Sequence, residues 1–132
     1  MRFLLIFLLV IFSKVAFSEA TFDVKFGYLS VNEETYEYTF LEETNEIIAS
    51  PGDAWGAVVY PSQSVEFDVK TVQKGDCEYD NNELIDGPFR TWGYYEYFKW
   101  SEVKGSCAES ISIFIDGSLI KTIDYTVEKL QK

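Results

Sequence analysis

The chain has 132 residues, of which 47% are hydrophobic and 17% aromatic, and it carries a net charge of −11. So many apolar side chains exclude a disordered acidic segment, and the negative charge argues against binding to nucleic acid or to anionic lipid headgroups. The sequence contains no histidine, which excludes serine–histidine–aspartate catalysis, cysteine–histidine catalysis and the common histidine metal sites.

The first twenty residues have the composition of a secretory signal peptide. Arg2 gives a basic start, residues 3–12 form an apolar run that is too short to span a bilayer, and small residues follow. We therefore expect a signal peptide over residues 1–18, with cleavage after residue 20 as the alternative. A single β-sandwich domain is expected over residues 19–132, with no membrane span in the mature chain and a secreted or periplasmic location.

The mature chain should be more acidic than the full sequence. Loss of Arg2 and Lys14 lowers the Lys plus Arg count from 11 to 9, so the net charge moves from −11 to −13 if Glu19 is retained. Such a surface favours cationic partners, or serves solubility. Glu33-Glu34 and Glu42-Glu43 are adjacent pairs, and neighbours on a strand point to opposite faces. Neither pair can form a two-carboxylate catalytic site by itself, and we expect no enzyme and no cofactor.

The pattern along the chain is that of β-strands. Alternating or continuous apolar residues occupy short segments separated by turn formers, and no segment has a helical apolar stripe. These segments are 22–28, 36–40, 47–48, 55–60, 65–71, 89–100, 109–115 and 119–127. Seven to eight short strands of this kind predict an all-β fold, an antiparallel sandwich.

The last two segments predict a hairpin around Asp116-Gly117. A two-residue loop would place Ile111 opposite Thr122. A three-residue loop, with Gly117 in a left-handed bulge, would place Ile111 opposite Ile123 and Ile115 opposite Leu119. We favour the three-residue loop, because it gathers the isoleucines on one buried face and a slip of one residue would move a whole strand face.

Export also bears on the two cysteines. Cys77 and Cys107 are an even pair in a chain expected to be exported, so they predict one disulfide. A loop of this length would stabilise the fold by about 3–4 kcal/mol in the chain-entropy model. Two free thiols or a redox pair are the alternative, although the spacing is unlike that of C-x-x-C.

Residues 73–88 predict the longest loop and carry oxygen ligands at every second position. Asp76, Glu78, Asp80 and Asn82 alternate as in a calcium-binding loop. The required glycine is replaced by an asparagine, and the expected bidentate glutamate is replaced by a glycine. A polar loop tethered by Cys77 is the favoured interpretation, and a calcium site is the alternative.

Residues 89–100 hold seven aromatic side chains in twelve positions. Period two places Glu96 on one face with four of them and places Tyr95 and Tyr97 on the other. A two-layer sandwich with one solvated side cannot bury both faces. The candidates for contact with a sugar or a protein are therefore Trp92, Tyr95, Tyr97 and Trp100. Alternatively, Tyr95 and Tyr97 lie flat on the outer surface or are covered by a loop.

The order of several short motifs resembles a family of small, mostly bacterial secreted proteins, catalogued as a domain of unknown function. The motifs are Phe26-Gly27-Tyr28, Glu43-Thr44 with Ile47, Gly52-Asp53-Ala54-Trp55-Gly56, Gly105, Ile111–Ile115, Asp116-Gly117 and Tyr125-Thr126-Val127. The family often has a tryptophan after the glycine that matches Gly105, where this chain has Ser106-Cys107. The resemblance implies an immunoglobulin-like sandwich and no catalytic residue.

These features predict a non-catalytic exported module that binds or scaffolds a protein or glycan in the cell envelope or outside the cell. One alternative is a carbohydrate-binding module, which requires two or three rings aligned on an exposed face. Another is a calcium-stabilised adhesive domain. An enzyme would need two carboxylates that converge in a cleft.

Overall fold

Two stacked β-sheets form the fold in a computed structural model that describes residues 20–80, 89–91 and 93–131. The expected signal peptide, residues 1–18, lies outside the described residues, as do Asn82 and Trp92. The strands are β1 (Phe22–Val31), β2 (Tyr38–Glu43), β3 (Glu46–Ala49), β4 (Ala54–Pro61), β5 (Phe67–Gly75), β6 (Phe89–Thr91), β7 (Tyr94–Lys99), β8 (Cys107–Ile115) and β9 (Ser118–Lys129). No helix within these ranges has the length and apolar character needed to cross a membrane.

The two sheets have the strand orders β2-β1-β4-β7 and β3-β9-β8-β5-β6. Neighbouring strands are antiparallel except for β3 and β9, which run parallel. The prediction of an all-β sandwich is confirmed. Nine strands are described because residues 89–100, expected to form one strand, divide into β6 and β7, which belong to different sheets.

The main core lies between the inner faces of the two sheets. Trp55, Ala57 and Val59 of β4 face the alternating isoleucines of β8, and all of these side chains are buried. Complete burial of a valine or isoleucine side chain contributes about 1.5–3 kcal/mol to the stability of the fold. At Gly56 an added Cβ would overlap the carbonyl oxygen of Glu96, so only glycine permits the close pairing of β4 with β7 here.

The β8–β9 hairpin corrects the expected loop. Asp116 and Gly117 have φ values of 50° and 83°, and Ile115 pairs with Ser118, which makes a two-residue turn of the type favoured by Asp-Gly. The register nevertheless shifts between Ile113 and Phe114, so that Ile111 does pair with Ile123. The hairpin therefore accommodates its one unpaired residue in a bulge within the β8–β9 pairing and not in a longer loop. Leu119 is consequently 56% exposed instead of buried.

The predicted disulfide is confirmed. Cys77 and Cys107 are bonded, with their Cα atoms 5.0 Å apart. Both cysteines pack against the main core. The bond joins β8 to the segment after β5, where Tyr79 forms an isolated bridge with Val103.

Candidate binding surface

Two adjacent valines of β4 are buried on opposite faces of the four-stranded sheet. Val59 is 2% exposed and belongs to the main core, whereas Val58 is 0% exposed and lies outside that core. Leu29 of β1 is likewise buried outside the main core. A third layer must therefore cover part of the outer face of this sheet.

The covering layer is the β1–β2 hairpin, which folds back over the sheet. Pairing between β1 and β4 ends at Leu29 and Ala54, while pairing between β1 and β2 continues to Val31 and Tyr38. The register shifts between Tyr28 and Leu29, and a bulge of this kind bends a strand. The end of the hairpin is thus free to leave the plane of the sheet.

The tip of the hairpin is held together locally. The side-chain oxygen of Asn32 accepts hydrogen bonds from the backbone N–H groups of Glu34 (3.0 Å) and Thr35 (3.3 Å). The backbone N–H of Tyr36 donates to the carbonyl of Asn32 at 2.6 Å, and Tyr36 has a positive φ of 61°. Asparagine suits this position because its short side chain can satisfy the backbone of a turn.

Three contacts attach the hairpin to β7. The Glu33 carboxylate pairs with the Lys99 ammonium at 2.6 Å. The Tyr95 hydroxyl donates to the Tyr36 carbonyl at 2.8 Å. The rings of Tyr38 and Tyr95 lie with centroids 4.5 Å apart. Since Val58 pairs directly with Tyr95, the hairpin covers the outer face where Val58 is buried.

Five of the nine tyrosines of the chain gather on this outer face, which we call the tyrosine face: Tyr36, Tyr38, Tyr60, Tyr95 and Tyr97. Tyr36 is 66% exposed and Tyr60 is 36% exposed, while the other three are half-buried. The rings of Tyr95 and Tyr97 are inclined by only 21°, with centroids 5.9 Å apart. Lys25 lies over the Tyr60 ring at 5.9 Å.

Next to the tyrosine face is an open depression of about 640 Å³, which we call the hairpin cleft. Its walls come from the β1–β2 hairpin, from the turn before β4 and from the end of β7. Its lining residues include Glu33, Leu41, Asp53, Tyr97 and Lys99. A volume of this order is typical of sites that take a small molecule or a few residues of a peptide.

Carboxylates dominate the electrostatics of the hairpin cleft. Lys99 forms ion pairs with Glu33 and with Glu102 (3.4 Å), and the hydrogen bond to Glu33 raises the pKa of Lys99. Burial, followed by the charge of Glu33, raises the pKa of Tyr97. The Tyr97 side chain is therefore neutral at physiological pH. It lies near the Lys99 ammonium, which is already paired with Glu33 and Glu102.

Of the other two aromatic candidates, Trp92 lies outside the described residues, and Trp100 lies apart from the tyrosine face. Tyr94 and Phe98 of β7 pack inward, and Tyr95 and Tyr97 face outward, in line with period two. Trp100 follows the end of β7, where its indole N–H donates to the Leu130 carbonyl at 2.9 Å. Lys129 lies 4.8 Å from the centre of that ring. Trp100 thus anchors the chain after β9 and is not part of the tyrosine face.

The alternating oxygen ligands are dispersed in the described structure. Asp76 accepts a hydrogen bond from the backbone N–H of Ala108 at 2.7 Å, Glu78 pairs with Lys104 at 3.8 Å, and the backbone N–H of Asp80 donates to Glu102. In residues 20–80, 89–91 and 93–131, the one cluster of three ligand-type groups is Asp76 with the two disulfide cysteines. A calcium site stays a prediction, and an unchanged melting temperature in excess calcium and in chelator would remove it.

Two carboxyl groups are withdrawn from solvent: Glu96 is partly buried, and Glu109 is buried at the wall of an open depression of about 440 Å³. Glu96 of β7 accepts hydrogen bonds from Tyr94 (3.0 Å) and from Gln73 of β5 (2.9 Å), which links the two sheets. Burial raises the pKa of Glu96. Glu109 of β8 is also buried, and burial followed by the charge of Asp76 raises its pKa.

Three members of the tyrosine face were not predicted from the sequence. The alternation of Tyr36 and Tyr38 indicated an ordinary strand, and Tyr60 closed an apolar run. The residue type carried the useful signal, because tyrosine combines an apolar ring with a polar hydroxyl. A buried strand does not need such a side chain at three outward positions. Their convergence depends on the hairpin folding back, which a local pattern does not encode.

Comparison with known proteins supports the fold. A scan with protein-family models and a search of curated proteins each found no match. A crystal structure of an immunoglobulin-like protein from Pseudomonas aeruginosa is similar, with a TM-score of 0.50 and 14% sequence identity. The alignment covers 86% of this chain and 99% of that one. At this identity the likeness concerns the fold alone, and it places this chain among immunoglobulin-like β-sandwiches.

Proposed function

We propose that this protein is an exported, non-catalytic binding module whose ligand contacts the tyrosine face and the hairpin cleft. The observation that carries the proposal is the gathering of five tyrosines on one outer face beside an open cleft. Tyrosine supplies a large amphipathic contact area at a low cost in side-chain entropy, which is why binding surfaces are rich in it. The immunoglobulin-like fold is compatible with such a role.

Export is the second element of the proposal. The signal-peptide composition of residues 1–18 and the Cys77–Cys107 disulfide both suit an oxidising compartment. We also propose that the chain belongs to the family of small secreted proteins that its motif order resembles. Mass spectrometry of the exported protein should find an N-terminus at residue 19 or 21, and retention of Met1 in the exported form would contradict the signal peptide.

Paired surface variants test the binding role. We expect the triple change Tyr36→Ala, Tyr60→Ala and Tyr97→Ala to abolish capture of a specific partner from envelope extracts. The matched control is Leu119→Ala with Ile120→Ala, because these large side chains are also exposed but belong to the five-stranded sheet. Equal capture by both variants and by the unchanged protein would contradict the proposal.

A carbohydrate ligand is the second candidate, favoured by the nearly parallel rings of Tyr95 and Tyr97. Aligned rings can stack on sugar rings. Tyr38 covers part of Tyr95, so Tyr97 would have to supply most of the platform. A glycan array read with the unchanged protein and with Tyr97→Ala decides between the two candidates.

A further inference from the structure

We infer that two copies of this chain form a two-fold dimer through the outer face of the five-stranded sheet, with Lys74 of each copy paired with Asp124 of the other. This contact lies on the side of the sandwich opposite to the tyrosine face, so it is separate from the proposed function and leaves both tyrosine faces of the dimer uncovered.

The outer face of the five-stranded sheet carries opposite charges on the two sides of β8. Lys74 of β5 pairs with Ser110 of β8, and Ser110 pairs in turn with Asp124 of β9. Residues that pair directly point to the same face of a sheet, and these three line the open depression of about 440 Å³, which we call the sheet trough. Glu46 of β3 lines the trough on the side of Asp124. The trough therefore has one positive wall and one negative wall.

The charges of the two walls are not neutralised within the described part of the chain. Because β8 separates β5 from β9, the backbones that carry the walls lie about 9–10 Å apart, at about 4.8 Å for each pair of strands. Lys74 and Asp124 are exposed, and neither forms an ion pair with a residue that the structure describes. Only the small side chains of Ala108 and Ser110 lie between them. A second surface can therefore approach closely and reach both walls.

A two-fold axis parallel to β8 makes this face complementary to itself. Such an axis places the β5 side of one copy over the β9 side of the other, so Lys74 meets Asp124 twice and Ser110 meets its own equivalent near the axis. An axis across the strands would instead place the lysines of β5, Lys70 and Lys74, against those of the other copy. Packed sheets lie about 10 Å apart, a gap that a lysine and an aspartate extended toward each other can bridge.

The size of the face suits a dimer that dissociates on dilution. β8 has nine residues and is about 30 Å long at about 3.3 Å per residue, and five strands about 4.8 Å apart are about 19 Å wide. This area lies near the lower limit for specific interfaces. Val72 and Phe114 are half-buried on the same outer face and add apolar contact.

The test is sedimentation velocity over a concentration series in about 0.15 M salt, where a Debye length of about 8 Å screens the general repulsion between two acidic copies. We expect the purified protein to approach the mass of a dimer as its concentration rises. Lys74→Glu and Asp124→Lys should each weaken the dimer at least about tenfold, because each change places like charges at both ion pairs. An equimolar mixture of the two variants should restore the dimer, because each of its two contacts then joins opposite charges.

Lys70→Glu is the matched control, since it makes the same charge change on the same strand and the same face. Phe114 and then Leu119, rather than an acidic residue, lie across the sheet from it. Its dimer should stay within about threefold of that of the unchanged protein. Equal weakening by Lys70→Glu and Lys74→Glu would indicate general charge repulsion and overturn the inference.

Three further outcomes would overturn the dimer: a monomer at every concentration, a mixture of the two variants that stays monomeric, and association that is lost in the Tyr36, Tyr60 and Tyr97 variant instead. Recovery in the mixture also shows that both variants fold. Should a charge reversal fold poorly, Lys74→Gln and Asp124→Asn, which only remove one partner of the ion pair, should each still weaken the dimer. The proposed function is tested separately, by partner capture with the tyrosine variant, and does not depend on the result.

Discussion

The two faces of the four-stranded sheet are both covered, but by different chemistry. The inner face packs against the five-stranded sheet through Trp55, Val59 and other apolar side chains. The outer face packs against the β1–β2 hairpin through two tyrosine rings, a hydroxyl–carbonyl hydrogen bond and a partly exposed ion pair. Apolar burial dominates folding energy, whereas exposed polar contacts contribute little each. The hairpin should therefore detach locally while the sandwich stays folded.

Removal of the disulfide should have the largest effect, because the bond closes a loop across a sequence separation of 30 residues and so restricts the unfolded chain. The double change Cys77→Ser and Cys107→Ser should lower the free energy of unfolding by about 3–4 kcal/mol, through the entropy of the released loop. Urea denaturation measures this, and reduction of the unchanged protein is the control. An unaltered midpoint would mean that the bond does not support the inner face.

The adjacent valines of β4 compare the two faces directly. Val59→Ala should cost about 2–3 kcal/mol of global stability, from lost transfer free energy and a residual cavity. Val58→Ala removes the same atoms under the hairpin, where the cover can readjust, so its cost should be smaller. Equal losses in urea denaturation would show that the hairpin and the sandwich unfold as one unit.

The partly buried carboxyl of Glu96 predicts a pH dependence of the inner face. Its pKa in the folded protein is raised above the ordinary value of 4.5, so the folded state holds a proton that the unfolded state has lost. Stability from this group is complete below about pH 4.5 and declines as the pH rises toward the folded pKa. Glu96→Gln should flatten this decline in urea titrations at successive pH values. A curve that kept its slope would assign the effect to another group, with Glu109 as the next candidate.

A smaller effect is expected where the hairpin meets β7. Tyr38→Ala removes the ring contact with Tyr95, which is worth about 0.5–1.5 kcal/mol beyond burial. Hydrogen exchange should accelerate at the hairpin N–H groups of Asn32 and Tyr36 and stay unchanged at Ile111 in β8. Acceleration throughout the chain would contradict a separable hairpin.

The smallest effect should come from the ion pair. Glu33→Gln should cost less than about 1 kcal/mol, and the loss should vanish at high salt, because both partners are partly exposed. Glu34→Gln is the matched control, since the neighbouring side chain forms no ion pair with a described residue. Equal effects of the two changes would indicate general charge repulsion rather than a specific contact.

Local patterns in the sequence predicted the parts of this fold that depend on local geometry. Alternation along residues 94–98 separates inward from outward side chains because successive residues of a pleated strand point to opposite faces. The pairing of the two cysteines was predicted from their even number and from the expected export of the chain. The tyrosine face depends instead on contacts such as Tyr38 with Tyr95, which join distant segments. The alternation of apolar and polar residues along a strand gives no indication that a hairpin will bend out of the plane of its sheet.

Two predictions were wrong, the single strand over residues 89–100 and the three-residue loop at Asp116-Gly117. Both concern features that depend on contacts between distant segments. The aromatic run 89–100 contains a single turn-forming residue, Gly93, so it indicates one strand, yet the chain passes from one sheet to the other within it. The Asp116-Gly117 turn takes its preferred two-residue form, and the favoured register is recovered by a bulge further along the strand. Both features depend on which strands pair with each other, and that pairing is determined by the packing of the whole sandwich.

The parallel pairing of β3 with β9 has a consequence for the order of folding. Ile47, early in the chain, pairs with Val127 near its far end, and β9 also separates β3 from β8. The five-stranded sheet cannot close until β9 has been synthesised and has emerged. Contacts between such distant segments form slowly. We therefore expect the five-stranded sheet to remain open until the last strand of the chain has been synthesised.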